Sequence, residues 1–135
     1  LLAGRAVAVT SEAGRLQWPV ALGPGEGRVY MVTPRPVAET QVQVAERQPA
    51  DRVATVQVSV VDAAGQTLPA VIPVRVDILD AEGNPAEFSG HYGAANGAVT
   101  IRLDLAANDA PGTWTVRARE LASGQTAEAQ FVYQP

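Results

Sequence analysis

Apolar and polar residues alternate along most of this chain with a period of two. Val56, Val58 and Val60 alternate with Gln57 and Ser59. Val74, Val76 and Ile78 alternate with Arg75 and Asp77. Val99, Ile101, Leu103 and Leu105 alternate with Thr100, Arg102 and Asp104, and Trp114, Val116 and Ala118 with Thr115, Arg117 and Arg119. Ala127, Ala129, Phe131 and Tyr133 share one parity. Such alternation puts the apolar members on one face of a β-strand, and one dry face with one wet face is the mark of antiparallel sheets. The pattern predicts Val56, Val58, Val74, Val76, Ile101, Leu103, Trp114, Val116 and Phe131 as core. It leaves Gln57, Arg75, Arg102 and Arg117 in solvent, because a one-residue slip would exchange the two sets.

Turn chemistry separates the runs at short intervals. Asp62-Ala-Ala-Gly65, Asp80-Ala-Glu-Gly83-Asn84-Pro85, Ala95-Asn96-Gly97, Asn108-Asp109-Ala-Pro111-Gly112 and Ala122-Ser123-Gly124 each combine Gly, Asx, Ser or Pro. Gly supplies positive φ, Asx bonds its own backbone, and Pro stops a strand. Short strands punctuated in this way predict an all-β fold of antiparallel sheets, a sandwich or a barrel, with extra N-terminal strands. Residues 58–66 resemble 76–84, each a strand running into Asp-x-x-Gly, which reads as one turn chemistry used twice.

The first third divides differently. Residues 5–10, 16–22, 27–33 and 37–45 each read as a strand, with Leu16, Trp18, Val20 and Leu22 on one parity. Pro34, Pro36 and Pro49 and the polar run around 47–51 read as a junction near 46–52. Two blocks follow, 1–48 and 49–135. The first is too short for an independent core. It is either the tail of an upstream sandwich or a group of strands packed on the second block.

Composition narrows the function. The chain has 135 residues, no Cys and a net charge of −4. Disulfides, thiolate metal sites and Cys nucleophiles are excluded. All ten basic residues are Arg, scattered and without a run. Abundant Ala, Val, Gly and Pro with Arg in place of Lys fits a GC-rich bacterial genome. An acidic chain without a basic stripe does not suit nucleic acid. No apolar stretch reaches the ~18 residues of a membrane span. The apolar start, residues 1–5, is too short for a signal peptide, and a start without Met reads as a piece of a larger protein.

Residues 53–134 resemble the immunoglobulin-like, macroglobulin-type (MG2-like) β-sandwich domains of large bacterial exported proteins. The matching pieces are Pro73-Val-Arg-Val-Asp-Ile-Leu-Asp80-Ala-Glu-Gly83, Asn108-Asp-Ala-Pro-Gly112-Thr-Trp114-Thr-Val116 and Ala129-Gln-Phe131-Val-Tyr133. The resemblance implies a spacer or docking module on the cell surface, outside the cell or in the periplasm. It does not extend to protease trapping, since the reactive thioester of macroglobulins needs a Cys. Leu22-Gly-Pro-Gly-Glu26 and the apolar strand after it are similar to the closing strands of accessory sandwiches beside glycoside hydrolase domains.

Candidate chemistry is sparse. The single His, His91, lies in Phe88-Ser89-Gly90-His91-Tyr92, where parity sends it to solvent with Ser89. Asp77, Asp104 and Glu120 read as acids of polar faces, unlike the buried carboxyls that glycoside hydrolysis needs. Asp80, Glu82 and Asn84 offer oxygens at alternate positions, as a calcium loop would. The matching turn at Asp62 lacks the second carboxylate, so the shared Asp serves the turn itself. Of seven aromatics, Trp18, Trp114, Phe131 and Tyr133 share parity with apolar neighbours. Of the other three, Phe88, Tyr30 and Tyr92, the two tyrosines are the platforms on which a sugar could stack. The expectation is a non-catalytic structural or interaction module of a larger exported bacterial protein, with no cofactor and no membrane insertion. Its partners are then neighbouring domains of the same chain, and protein or glycan at the cell surface. The alternative is a carbohydrate-binding accessory module beside a glycoside hydrolase.

Overall fold

The computed structural model describes Gly4 and residues 6–135, so the other residues of the apolar start lie outside it. Nine strands follow one another: β1 (Thr10–Glu12), β2 (Arg15–Gln17), β3 (Glu39–Val44), β4 (Val53–Val61), β5 (Ile72–Leu79), β6 (Gly90–Ala94), β7 (Ala98–Asp104), β8 (Gly112–Glu120) and β9 (Thr126–Tyr133). No helix occurs among the described residues. The all-β reading holds. Strands β3–β9 make two antiparallel sheets, ordered β3-β4-β7 and β6-β5-β8-β9, and β1 pairs only with β2.

The sheets face each other across the core that alternation predicts. All nine residues expected inside are buried. Gln57, Arg102 and Arg117 face solvent, and Arg75 is half-buried. Registry brings the core residues opposite one another, Val56 against Ile101, Ile78 against Val116 and Trp114 against Phe131. Each fully buried Val, Ile or Leu contributes roughly 1.5–3 kcal/mol relative to exposure. β6 lies beside β5, whereas in the constant-type immunoglobulin arrangement the corresponding strand joins the other sheet.

The crossing from β6 to β7 depends on Asn96-Gly97. Both have positive φ, 52° and 74°, as a type I′ turn requires. Gly97 is also wedged against backbone. An added Cβ would lie 2.6 Å from Leu68 N and 2.7 Å from Leu68 O. Its own N–H donates to Ala70 O (3.0 Å), and its carbonyl accepts from Val60 N–H (2.7 Å).

The sandwich begins at Glu39, ahead of the boundary read near 46–52, because β3 pairs with β4 along its whole length, from Glu39↔Val61 to Val44↔Val56. The polar run read as a junction is a loop between these two paired strands. Arg47 ties it down by donating to Val132 O (2.5 Å) and to Asp51 O, and its guanidinium lies 5.1 Å over the Phe131 ring. Loop residues also gain Gln134 N–H to Pro49 O (2.9 Å) and Gln48 N–H to Asp51 Oδ2 (2.7 Å).

The N-terminal strands fare differently. Of the stretches read at 5–10, 16–22 and 27–33, only the hairpin β1–β2 is paired, over three residues on each side. Parity predicted a core face for Leu16 and Val20, yet both are exposed. Val7, Val9, Leu22, Val29 and Val32 are exposed as well. A strand buries its apolar face only against another layer, and the polar outer faces of the sandwich offer none. The segment reaches the sandwich at its end, where Met31 and Val37 touch the core.

Candidate functional site

The turns after β4 and β5 are built alike, as the sequence comparison implied. Asp62 Oδ1 accepts from Ala64 N–H and Gln66 N–H, both at 2.9 Å. Asp80 Oδ1 accepts from Glu82 N–H (2.9 Å) and Asn84 N–H (2.8 Å). Each Asp closes the turn by satisfying donors that no strand partner reaches. Bonding from the Gln66 backbone, offset by burial and reinforced by Ala64 and Arg35, holds the Asp62 carboxyl below its usual range. Burial pushes the Asp80 carboxyl up, but the bonds from Asn84, Glu82 and Gly83 outweigh it and leave it lowered.

The calcium candidates Asp80, Glu82 and Asn84 do lie together. Asn84 Nδ2 donates to Asp80 Oδ2 and to Glu82 Oε2, both at 3.3 Å. The amide thus turns its N–H2, and not its oxygen, toward the two carboxylates. Among the described residues no three His, Cys, Asp or Glu side chains gather at metal-binding spacing.

The Asp62 turn has a partner that sequence reasoning missed. Arg35 Nη1 lies 2.7 Å from Asp62 Oδ2 and 2.7 Å from Gln66 Oε1, and Nη2 donates to Thr67 O at 3.1 Å. One guanidinium therefore fastens the incoming chain to this end of the sandwich. Pairs this remote in sequence carry no local signal.

Among the acids, Glu120 departs from expectation. It was read on a polar face but is fully buried, since it shares parity with Trp114, Val116 and Ala118. The turn beyond β8 folds back over it. Ala122 N–H donates to Oε1 (2.5 Å), and Ser123 N–H and Oγ donate to Oε2 (2.6 and 2.5 Å). With both oxygens engaged, the carboxylate organises this turn. Parity alone could have found it. Asp77 and Asp104 pair with Arg75 (2.6 Å) and Arg102 (2.9 Å) on the outer faces, as that reading implied.

His91 is exposed, opposite Arg75 in register. Ser89 is occupied otherwise: its Oγ accepts from Ile78 N–H (2.9 Å) and donates to Ile78 O (3.1 Å), continuing the sheet past the end of β6.

The two tyrosine platforms differ. Tyr92 is half-buried against the core, and its hydroxyl donates to Phe88 O (2.5 Å). Tyr30 has an aromatic neighbour, since Trp18 stands 5.4 Å away, ring centre to ring centre, tilted by 57°. Trp18 was read as core; it is half-buried against Tyr30, while Leu16 and Val20 on its parity stay exposed. A shallow cleft of about 340 Å³ beside it is lined by Ala8, Thr10, Gln17, Trp18 and Pro19. A second cleft of about 300 Å³ lies by the Arg47 loop, among Glu46, Asp51 and Arg52. The remaining large aromatics form the core cluster, with Trp114 5.8 Å from Phe131 and 6.4 Å from Tyr133. Their polar tips are satisfied by Ala110 O and Ala106 O.

No family model matches the sequence, and no curated protein matches it. Among solved structures the chain is similar to the β-glucuronidase of Parabacteroides merdae, at TM-score 0.51 and 21% identity, over 72% of this chain and 12% of that one. The same enzyme with glycerol in its active site gives 20% identity and TM-score 0.51, over 73% and 12%. At this identity the likeness is one of fold. The chain spans about an eighth of the length of the chains it resembles.

Proposed function

We propose that this chain is a non-catalytic β-sandwich module that spaces or docks neighbouring domains in a larger exported bacterial protein of glycoside-hydrolase type. The observation that carries the reading is the fold likeness to a short stretch, 12%, of a β-glucuronidase chain. The packed interior supports it. Inward positions on β4, β5 and β7 hold close-packed Val, Ile and Leu, leaving no room for a substrate between the sheets. The macroglobulin-type motifs of residues 53–134 support the same role, which such sandwiches fill on exported proteins. The test is an assay of the isolated chain on p-nitrophenyl β-D-glucuronide and related aryl glycosides. No release above buffer is expected. Turnover that scales with protein concentration and disappears on unfolding would overturn the reading.

A carbohydrate-binding role is favoured by one observation, the Trp18–Tyr30 pair beside an open cleft. Titration of the chain with soluble polysaccharides and a glycan array separates the two. Specific binding lost in Trp18→Ala would support sugar recognition, and no binding would leave the structural role.

A further inference from the structure

Ten large hydrophobic residues are exposed among the described residues, and seven of them lie between Val7 and Val32. Val29 is fully exposed, and Leu16 and Leu22 are each more than half exposed. At ordinary residue areas the seven present on the order of 600 Å² of surface, near the ~800 Å² that one partner buries in a stable interface. Scattered single apolar residues need no explanation, but a concentration of this size marks a contact surface.

The backbone here is equally unpartnered. Between Trp18 and Thr33 the one backbone–backbone hydrogen bond described is Glu26 N–H to Gly23 O, inside a turn. Residues on either side of that turn keep strand-like patterning: Leu16, Trp18, Val20 and Leu22 before it, Val29 and Met31 after it. Alternating apolar residues with free N–H and C=O groups are what a sheet edge binds. Main-chain bonds hold such a segment, and alternate side chains fill the face below.

We propose that residues 6–33 are strands of an adjoining β-domain of the same polypeptide, completing an open edge and an apolar face of its sheet. The inference rests on reading the chain as part of a larger protein and says where that protein continues. A second copy of this chain does not suit the role. The outer faces of its sandwich carry Arg75, Asp77, Arg102, Asp104, Arg117 and Glu128 in ion pairs, so its own apolar surface is largely the same N-terminal segment. The attachment point agrees with this. Arg35 clamps the chain to the Asp62 turn just beyond the segment, which would fix the angle between the two domains.

Hydrogen exchange read by mass spectrometry tests the proposal on two proteins, this 135-residue chain and the longer polypeptide that carries it. In the short chain, amides of 7–9, 18–22 and 28–32 should exchange nearly unprotected. In the long one they should slow by on the order of 100-fold or more, while β4 and β8 stay protected in both. Leu22→Asp in the long polypeptide should restore fast exchange to the segment without loosening β4. Equal exchange in both proteins would overturn the proposal. So would protection in the short chain, whether independent of concentration, meaning packing on its own sandwich, or lost on dilution, meaning self-association. The aryl-glycoside assay is independent of these outcomes.

Discussion

Single side chains settle the local stability of this sandwich, and they do so by three mechanisms. Trp114 is almost fully buried between Phe131 and Tyr133. Trp114→Ala removes that packing and leaves a cavity, so urea unfolding should show a loss of about 3–5 kcal/mol. Glu120 is held by its hydrogen bonds. Glu120→Gln keeps the shape but turns an N–H2 toward donors of Ala122 and Ser123, which should cost about 1–3 kcal/mol in the same measurement. Asp62 acts through charge. Its carboxyl is lowered in the folded state, so its contribution is present above the unfolded carboxylate range and is lost as pH falls through the folded value. Asp62→Ala should therefore lower the melting temperature at neutral pH. The gap to the parent chain should narrow in melting curves taken below about pH 4. Melting curves with added calcium check the Asp80 turn. No appreciable rise is expected, because a ligand stabilises only as far as it prefers the native state.

Among the elements, the connections carry the constraints. The β6–β7 crossing admits Gly97 alone, because positive φ coincides with a close approach to Leu68 backbone. Gly97→Ala should destabilise by more than the roughly 1 kcal/mol of an unstrained glycine position, and circular dichroism melts would read it. The Arg47 loop and the Arg35 clamp bind opposite ends of the sandwich, as the antiparallel pairings place them. The turns at 62–66 and 93–97 share one end, and those at 80–85 and 108–112 the other, as expected for strands running up and down. Strand identity was legible for β4, β5, β7, β8 and β9 because each run alternates and is bounded by Gly, Asx, Ser or Pro. β3 was legible as a strand, but its pairing with β4 was not. Its pairing with β4 spans a loop whose Pro and charges look like a linker, and only the Arg47 contacts show that the loop is pinned.

For the whole molecule, the sandwich and the segment before it are expected to behave as separate units. Removal of residues 1–30 spares Met31, Arg35 and Val37, the contacts with the core and the Asp62 turn. The shortened chain should melt within a few degrees of the intact one, since surface changes away from packed contacts usually stay within about 0.5 kcal/mol. Its binding of a hydrophobic dye should fall, because most of the exposed apolar surface goes with the segment. A large drop in melting temperature would show that the segment packs on the sandwich.

Alternation by itself determined which residues of β4, β5, β7, β8 and β9 turn inward, because side-chain direction in a strand follows from position alone. The Asp-x-x-Gly motif likewise determined the matching Asp62 and Asp80 turns, since their bonds close within four residues. Whether an inward-facing side finds a layer to cover it depends on residues far away. Tertiary structure therefore decided that Leu16 and Val20 stay exposed, that Trp18 meets Tyr30, and that Arg35 reaches Asp62. Burial of Glu120 stands between the two cases. Its direction was written in the parity of β8, but a buried carboxylate is tolerable only with its charge satisfied, and those donors come from a turn that closes when the sandwich does.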